Sequence, residues 1–512
     1  MANNLQSLMC MAAVLAGQAV YAQEADTAPL NVIDWLDDPA LQQTALPVDE
    51  PEVTTSGTVP NVSVMPLTTS APKRVGLAPS SVTGLPDTLW SGSNAATLAR
   101  AIAAMPDMHL PALQSLFLTV LLAEAAPPSG QTAAFDLARI DALIRLGALD
   151  PAQALLEQAG PDTSPEHFAR YMEMSLLLGT TVRACAILSA RPDLSPGKAE
   201  EVFCLARAGE WSTAVLQLGS ARVLGLIDEP VVLALERFLD SDLFEGQPPL
   251  PVPARPSALM FRVFEAIGTP IPTRSWPLVF ANADLSDTAG WKAQIEAAER
   301  LARSGAVSDN RLLGLYSQRR PAASGGVWDR VEALQRFETA LGTQSPSAVS
   351  KTLPDAWQTM QAAQLSVPFA TLFSAQLSEF TLSGRTADLA YEVILLSPDY
   401  ERAAQLFPTR ALRRPDMAAI AAGEVRDGLS AQGKLAAVLA AFDDAAPDAR
   451  IIIRAQGGAL GAALLDALAL TNEGAAGDVA RLRTGLATLR ALGLEDVTRR
   501  AGLQAILLEG SR

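Results

Sequence analysis

The chain has 512 residues, of which 49% are hydrophobic and only 5% aromatic, and it carries a formal net charge of -16. That apolar content is enough to build a large core, which excludes wholesale disorder. So acidic a surface repels phosphate backbones and excludes nucleic acid as a partner.

In chain order, Leu5 to Val20 is mostly apolar and uncharged, and Val20-Tyr21-Ala22 offers small residues before polar Gln23-Glu24. The pattern resembles a secretory signal peptide over residues 1–22, cleaved after Ala22, and predicts a periplasmic protein. The stretch carries no Lys or Arg before its apolar run and is short for a membrane span. Cys10 lacks the small preceding residue of a lipoprotein signal. No later segment is apolar enough to span; Ile451 to Leu470 is broken by Arg454, Gln456 and Asp466, so no membrane span is expected in the mature protein.

Residues 23–41 contain a compact apolar and acidic motif. Val32, Ile33, Trp35 and Leu36 cluster within about one and a half helical turns, between acids. Residues 42–86 are rich in Pro, Ser and Thr, lack helical periodicity, and are expected to form a disordered linker. A motif isolated behind such a linker either folds back onto its own chain or docks on a partner as a short helix.

From Asp87 onward, helix-length segments with apolar residues three and four apart alternate with breakers, in two regions, 87–245 and 257–512. Between them, 246–256 holds five prolines and is read as an extended connector. Helices are expected again at Ala258–Ile267, Trp291–Ser304 and Trp328–Leu341. The Ala-, Gly- and Leu-rich end, 416–509, predicts tightly packed hairpins. The fold class is therefore all-α.

Three breakers share a pattern. Gly147, Gly179 and Gly209 each precede an alanine by five residues: Ala152, Ala184 and Ala214. Glycine ends a helix, and a small alanine lets the next one approach. Leu149 and Trp211 hold the apolar place between, and Thr181 departs from it. The pattern resembles the inter-helix turn of tetratricopeptide repeats, which implies a TPR-like solenoid of helical hairpins. Beyond this, the chain resembles uncharacterised exported bacterial helical-repeat proteins, a likeness that implies no activity. In such an array Cys185 opens one helix, Cys204 sits late in the next, and the breaker 191–197 lies midway between them. Antiparallel neighbours then bring the two cysteines face to face, as a candidate disulfide.

Chemical signatures are sparse. The two histidines, His109 and His167, lie in different helical pairs without metal-ligand spacing and read as surface or capping residues. No nucleophile elbow, phosphate loop or dinucleotide fingerprint occurs, so neither an enzyme nor a cofactor is expected. The most unusual polar segment joins Arg319 and Arg320 to Ser324-Gly325-Gly326 and Trp328. It reads either as an anion or peptide site, or as a loop in which Ser324 or Asp329 caps a helix and Trp328 is buried. Arg274 to Phe280, with Trp276, either lines a groove or packs on the array. The expected function is a cell-envelope scaffold or adaptor that binds an envelope protein or peptide. The alternative is a cell-wall glycan-directed protein or enzyme, similar to the superhelical part of lytic transglycosylases and taking peptidoglycan as ligand. Those enzymes carry a Glu-Ser motif, which is absent from this sequence.

Overall fold

The computed structural model describes residues 74–255, 257–425 and 431–509. Val32, Ile33, Trp35 and Leu36, with the signal-peptide-like stretch and most of the linker, lie outside the described residues. The end of the expected linker, 74–86, is instead packed on the helices, with the Leu77 and Ala78 N–H groups donating to the Leu122 carbonyl and Leu85 buried. Among the described residues the structure is helical without β-strands, having only two isolated bridges, Ala78 to Ala123 and Asn94 to Ser129.

The first part is built from α1 (Ala95–Ala103), α2 (Pro111–Leu122), α3 (Ala133–Arg145) and α4 (Leu149–Ala159). It continues through α5 (Pro165–Leu178), α6 (Thr181–Ala190), α7 (Lys198–Arg207), α8 (Trp211–Val223) and α9 (Glu229–Leu239). The hairpins α3–α4, α5–α6 and α7–α8 turn at Gly147, Gly179 and Gly209, with φ of 78°, 77° and 86°. At each turn the residue after the glycine donates its N–H to a carbonyl five residues earlier: Ala148 to Leu143, Thr180 to Ser175, Glu210 to Leu205, all at 2.9 Å. The glycine N–H bonds three residues back. This pair of bonds satisfies carbonyls that a helix end leaves open, and it needs the left-handed conformation that glycine adopts without steric cost. Ala152, Ala184 and Ala214 are all buried, as close helix approach requires.

Among the described residues after α9, the next α-helix begins at Ala258, where the chain has returned to the first part. There α10 (Ala258–Ala266) packs on α5, and Arg262 donates from Nε and Nη2 to the terminal carbonyls of Leu176 and Leu177, at 2.8 and 3.1 Å. A 3-10 stretch, Leu278–Leu285, and α11 (Trp291–Arg303) lie against the α3–α4 turn. Asn282 donates to the Gly147 carbonyl and Ser304 to that of Leu146. Trp276, Phe261 and Phe280 form an aromatic triangle, so the 274–280 segment is packed on the array.

The chain continues through α12 (Asp309–Ser317), α13 (Val327–Gly342), α14 (Pro346–Ala362), α15 (Ser366–Leu377), α16 (Gly384–Leu395) and α17 (Pro415–Ala422). It ends in α18 (Gly433–Phe442), α19 (Ala449–Gln456), α20 (Leu460–Ala475), α21 (Val479–Ala491) and α22 (Glu495–Leu507). The helices expected near 258, 291 and 328 are therefore present, within one residue at each end. The glycine turn recurs at Gly458 and Gly493, followed at the fifth residue by buried Ala463 and Thr498. In the last hairpins a Cβ on Gly474 would stand 2.2 Å from the Leu482 nitrogen, so α20 and α21 pack backbone to backbone.

A strictly linear array has contacts only between neighbouring repeats. Here the two ends of the described chain meet. Helix α20 lies on α1 and α2, and α22 on α2. Asn472 accepts from the His109 N–H at 2.7 Å and donates to the Asp107 carbonyl at 2.9 Å. Gln504 accepts from the Ala112 N–H at 2.8 Å, and the Gly461 N–H donates to Leu89. Polar side chains buried among Ala and Leu are tolerable because each satisfies backbone groups of α2's N-terminal approach.

Candidate functional site: an apolar groove beside Cys185 and Cys204

Helix α8 spreads its apolar residues around several sides yet buries only a narrow edge, Ala214, Leu218 and Ala221. Outward it presents Trp211, Val215, Leu216 and Val223, with Leu216 72% exposed. Leu224 and Leu226 follow, and Leu233 and Leu243 continue the exposed apolar surface over α9 and beyond it. Of the exposed large apolar residues among those described, most fall between 182 and 243. They concentrate there because α6 to α9 pack mainly on their own sequence neighbours, while the first and last helices cover one another.

A separate cavity of 520 Å³ lies between α6 and α7, with α8 reaching it through Gln217. Val182, 78% exposed, stands at its rim, and Cys185, Cys204 and Leu205 form its wall. The cysteines are at disulfide distance, Sγ to Sγ 2.03 Å, with Cα atoms 5.1 Å apart. Their juxtaposition follows from the hairpin geometry: α6 starts beside the last turns of antiparallel α7. Gln217 and Lys198 both donate to Glu201 at the polar edge; Lys198 Nζ is 2.7 Å from its carboxylate. Burial alone would raise the Glu201 pKa, but the bonds from Lys198, Ser195 and Gln217 hold it below the usual carboxylate value. Phe203 and Phe238 stack at 5.5 Å beneath Trp211, which keeps half its surface in solvent.

Charge adds direction to the site. Residues 198–245 carry nine carboxylates and four cationic side chains. Of those cations, Lys198 pairs with Glu201, and Arg222 with Glu229 and Glu236. The surface around the apolar residues is therefore negative and favours a ligand with cationic flanks.

Other sequence-level candidates lie elsewhere. Arg319 and Arg320 are exposed in the α12–α13 loop. The Gly325 N–H is taken by the Asp329 carboxylate at 2.8 Å, so the loop closes on its own helix start. Trp328 is half-buried and lies on Trp291, ring centroids 5.0 Å apart. His167 is buried rather than at the surface. It sits in the first turn of α5, where Ser164 caps the helix and its Oγ lies 2.9 Å from Nδ1. Among the described residues no cluster of His, Cys, Asp and Glu is arranged to hold a metal, and no helix is long and apolar enough to cross a membrane.

Sequence reading overlooked the exposed apolar residues of α8. The signal was present in the run from Trp211 to Leu226, whose apolar residues are too evenly spread around the helix for one buried stripe. The chain matches no protein-family model, and no curated protein or solved structure shows significant similarity to it.

Proposed function

We propose that the protein is an exported, TPR-like helical-repeat adaptor of the cell envelope, whose α6–α9 face holds an amphipathic, basic-flanked helix of a partner protein. The observation that carries this reading is the uncovered apolar surface of α8 above an acidic setting. A soluble chain rarely leaves so many large apolar side chains together unless something covers them. Each of Val215 and Leu216 would contribute roughly 1.5–3 kcal/mol on full burial. Such sums are ample for a specific contact after the ordering costs of association. The repeated glycine turns support the TPR-like reading. The cysteines at bonding distance suit an oxidising compartment, in keeping with a leader ending at Ala22.

A photo-crosslinking side chain placed at Leu216 tests the proposal in intact cells, with Leu412, exposed on a different helix, as the reference position. The reading expects one discrete protein adduct at 216, absent at 412, in the periplasmic fraction. Equal labelling at both positions, or recovery only with peptidoglycan, contradicts it.

A further inference from the structure

Where α14 meets α15, the glycine turn reappears without a glycine. Gln364 donates its N–H to Gln361, and Leu365 donates to Met360, both at 2.9 Å, as in the glycine turns. Gln364 holds the left-handed conformation, φ 59°, that nine other turns with this pair of bonds give to glycine. Its side chain lines a cavity of 330 Å³ bounded by α2, the end of α11, the start of α15 and the end of α22.

One donor beside this cavity is left without an acceptor. Gln114 of α2 is only 7% exposed, and its Nε2 has no hydrogen-bond partner among the described residues. A buried amide left so is costly, and in a native structure it points to a missing ligand or water. Helix α15 opens at Ser366 and Val367 with no side-chain cap and no acid in its first turn, so its positive end is uncompensated. Arg303 donates from Nε to the Ala363 carbonyl at 2.8 Å and pairs with no carboxylate among the described residues. No acid lines the cavity, in a chain where acids outnumber bases.

We infer that this cavity is a binding site for a small organic carboxylate. One guanidinium at the mouth balances a single negative charge, which suits a carboxylate better than a doubly charged phosphate. The buried Gln114 amide and the α15 N–H groups supply neutral donors to its oxygens. Val367 and Leu508 provide apolar walls for a short carbon chain. The inference does not rest on the α6–α9 groove, which is formed by other helices.

Isothermal titration of the full chain with sodium hexanoate, and separately with inorganic phosphate, tests it. Hexanoate should bind saturably, and Gln114→Met, which keeps the length but removes the donors, should weaken binding at least tenfold. Arg303→Gln, at an exposed position, should do the same, while Arg336→Gln on α13 should leave it unchanged. Absence of saturable hexanoate binding, affinity unchanged in both cavity variants, or tighter binding of phosphate would each overturn the assignment.

Discussion

At the scale of single residues, His167 makes the first turn of α5 sensitive to pH. Burial lowers its pKa, and Arg170 lowers it further against the opposing pull of Glu166. The neutral ring is therefore the folded form, and the unfolded chain binds the proton more readily. Stability should be full above the unfolded value of about 6.5 and should fall as pH drops through that value towards the lower folded one. His167→Gln should flatten that part of the curve, as read by urea unfolding between pH 7.5 and 5.5. An unchanged slope would place the pH dependence in other groups. Sequence reading took His167 for a surface or capping residue. It missed the burial, because a lone histidine on an apolar helix face looks the same whether the neighbouring helix covers it or not.

At the scale of elements, the glycine turn is the unit from which the array is made, and its members are not equivalent. A Cβ at Gly147 would meet Leu301 at 2.5 Å, whereas at Gly209 it would meet nothing within 4 Å. Both positions carry the left-handed cost of a non-glycine residue, about 1–3 kcal/mol. Only Gly147 adds a steric clash with α11. Gly147→Ala should thus destabilise more than Gly209→Ala, by roughly another 1–3 kcal/mol, as measured by chemical unfolding of the two variants. Equal losses would mean that α11 yields without cost. The turns at Gly147, Gly179 and Gly209 were legible because glycine and alanine hold fixed places in the sequence. The matching pair Gly458 and Ala463 carried the same signal within an Ala- and Gly-rich stretch that obscured the spacing. The turn at Gln364 was invisible, since glutamine announces no left-handed conformation.

At the scale of the whole described chain, α20 and α22 close onto α1 and α2 through a few buried polar clamps. Asn472→Leu would strand the His109 N–H and the Asp107 carbonyl. Such orphaned groups cost about 1–3 kcal/mol each. Hydrogen exchange should then quicken at His109 and in the adjoining start of α2, with α5 to α8 unaffected; uniform acceleration would contradict a local clamp. This closure was not legible, because it joins residues 363 and 392 positions apart with no periodic mark. Helical class, by contrast, follows from local spacing repeated over some four hundred residues. The closure covers the apolar faces at the ends, whereas large apolar side chains of α8 stay exposed. The most direct test of that open face is fluorescence anisotropy with a labelled 18-residue helix of leucine and lysine, titrated with the full chain in 0.3 M salt. The account predicts saturable binding that falls at least tenfold in the Val182→Asp, Leu216→Asp double variant and is absent for a leucine–glutamate helix. Binding of equal strength to the wild type and the double variant would contradict it.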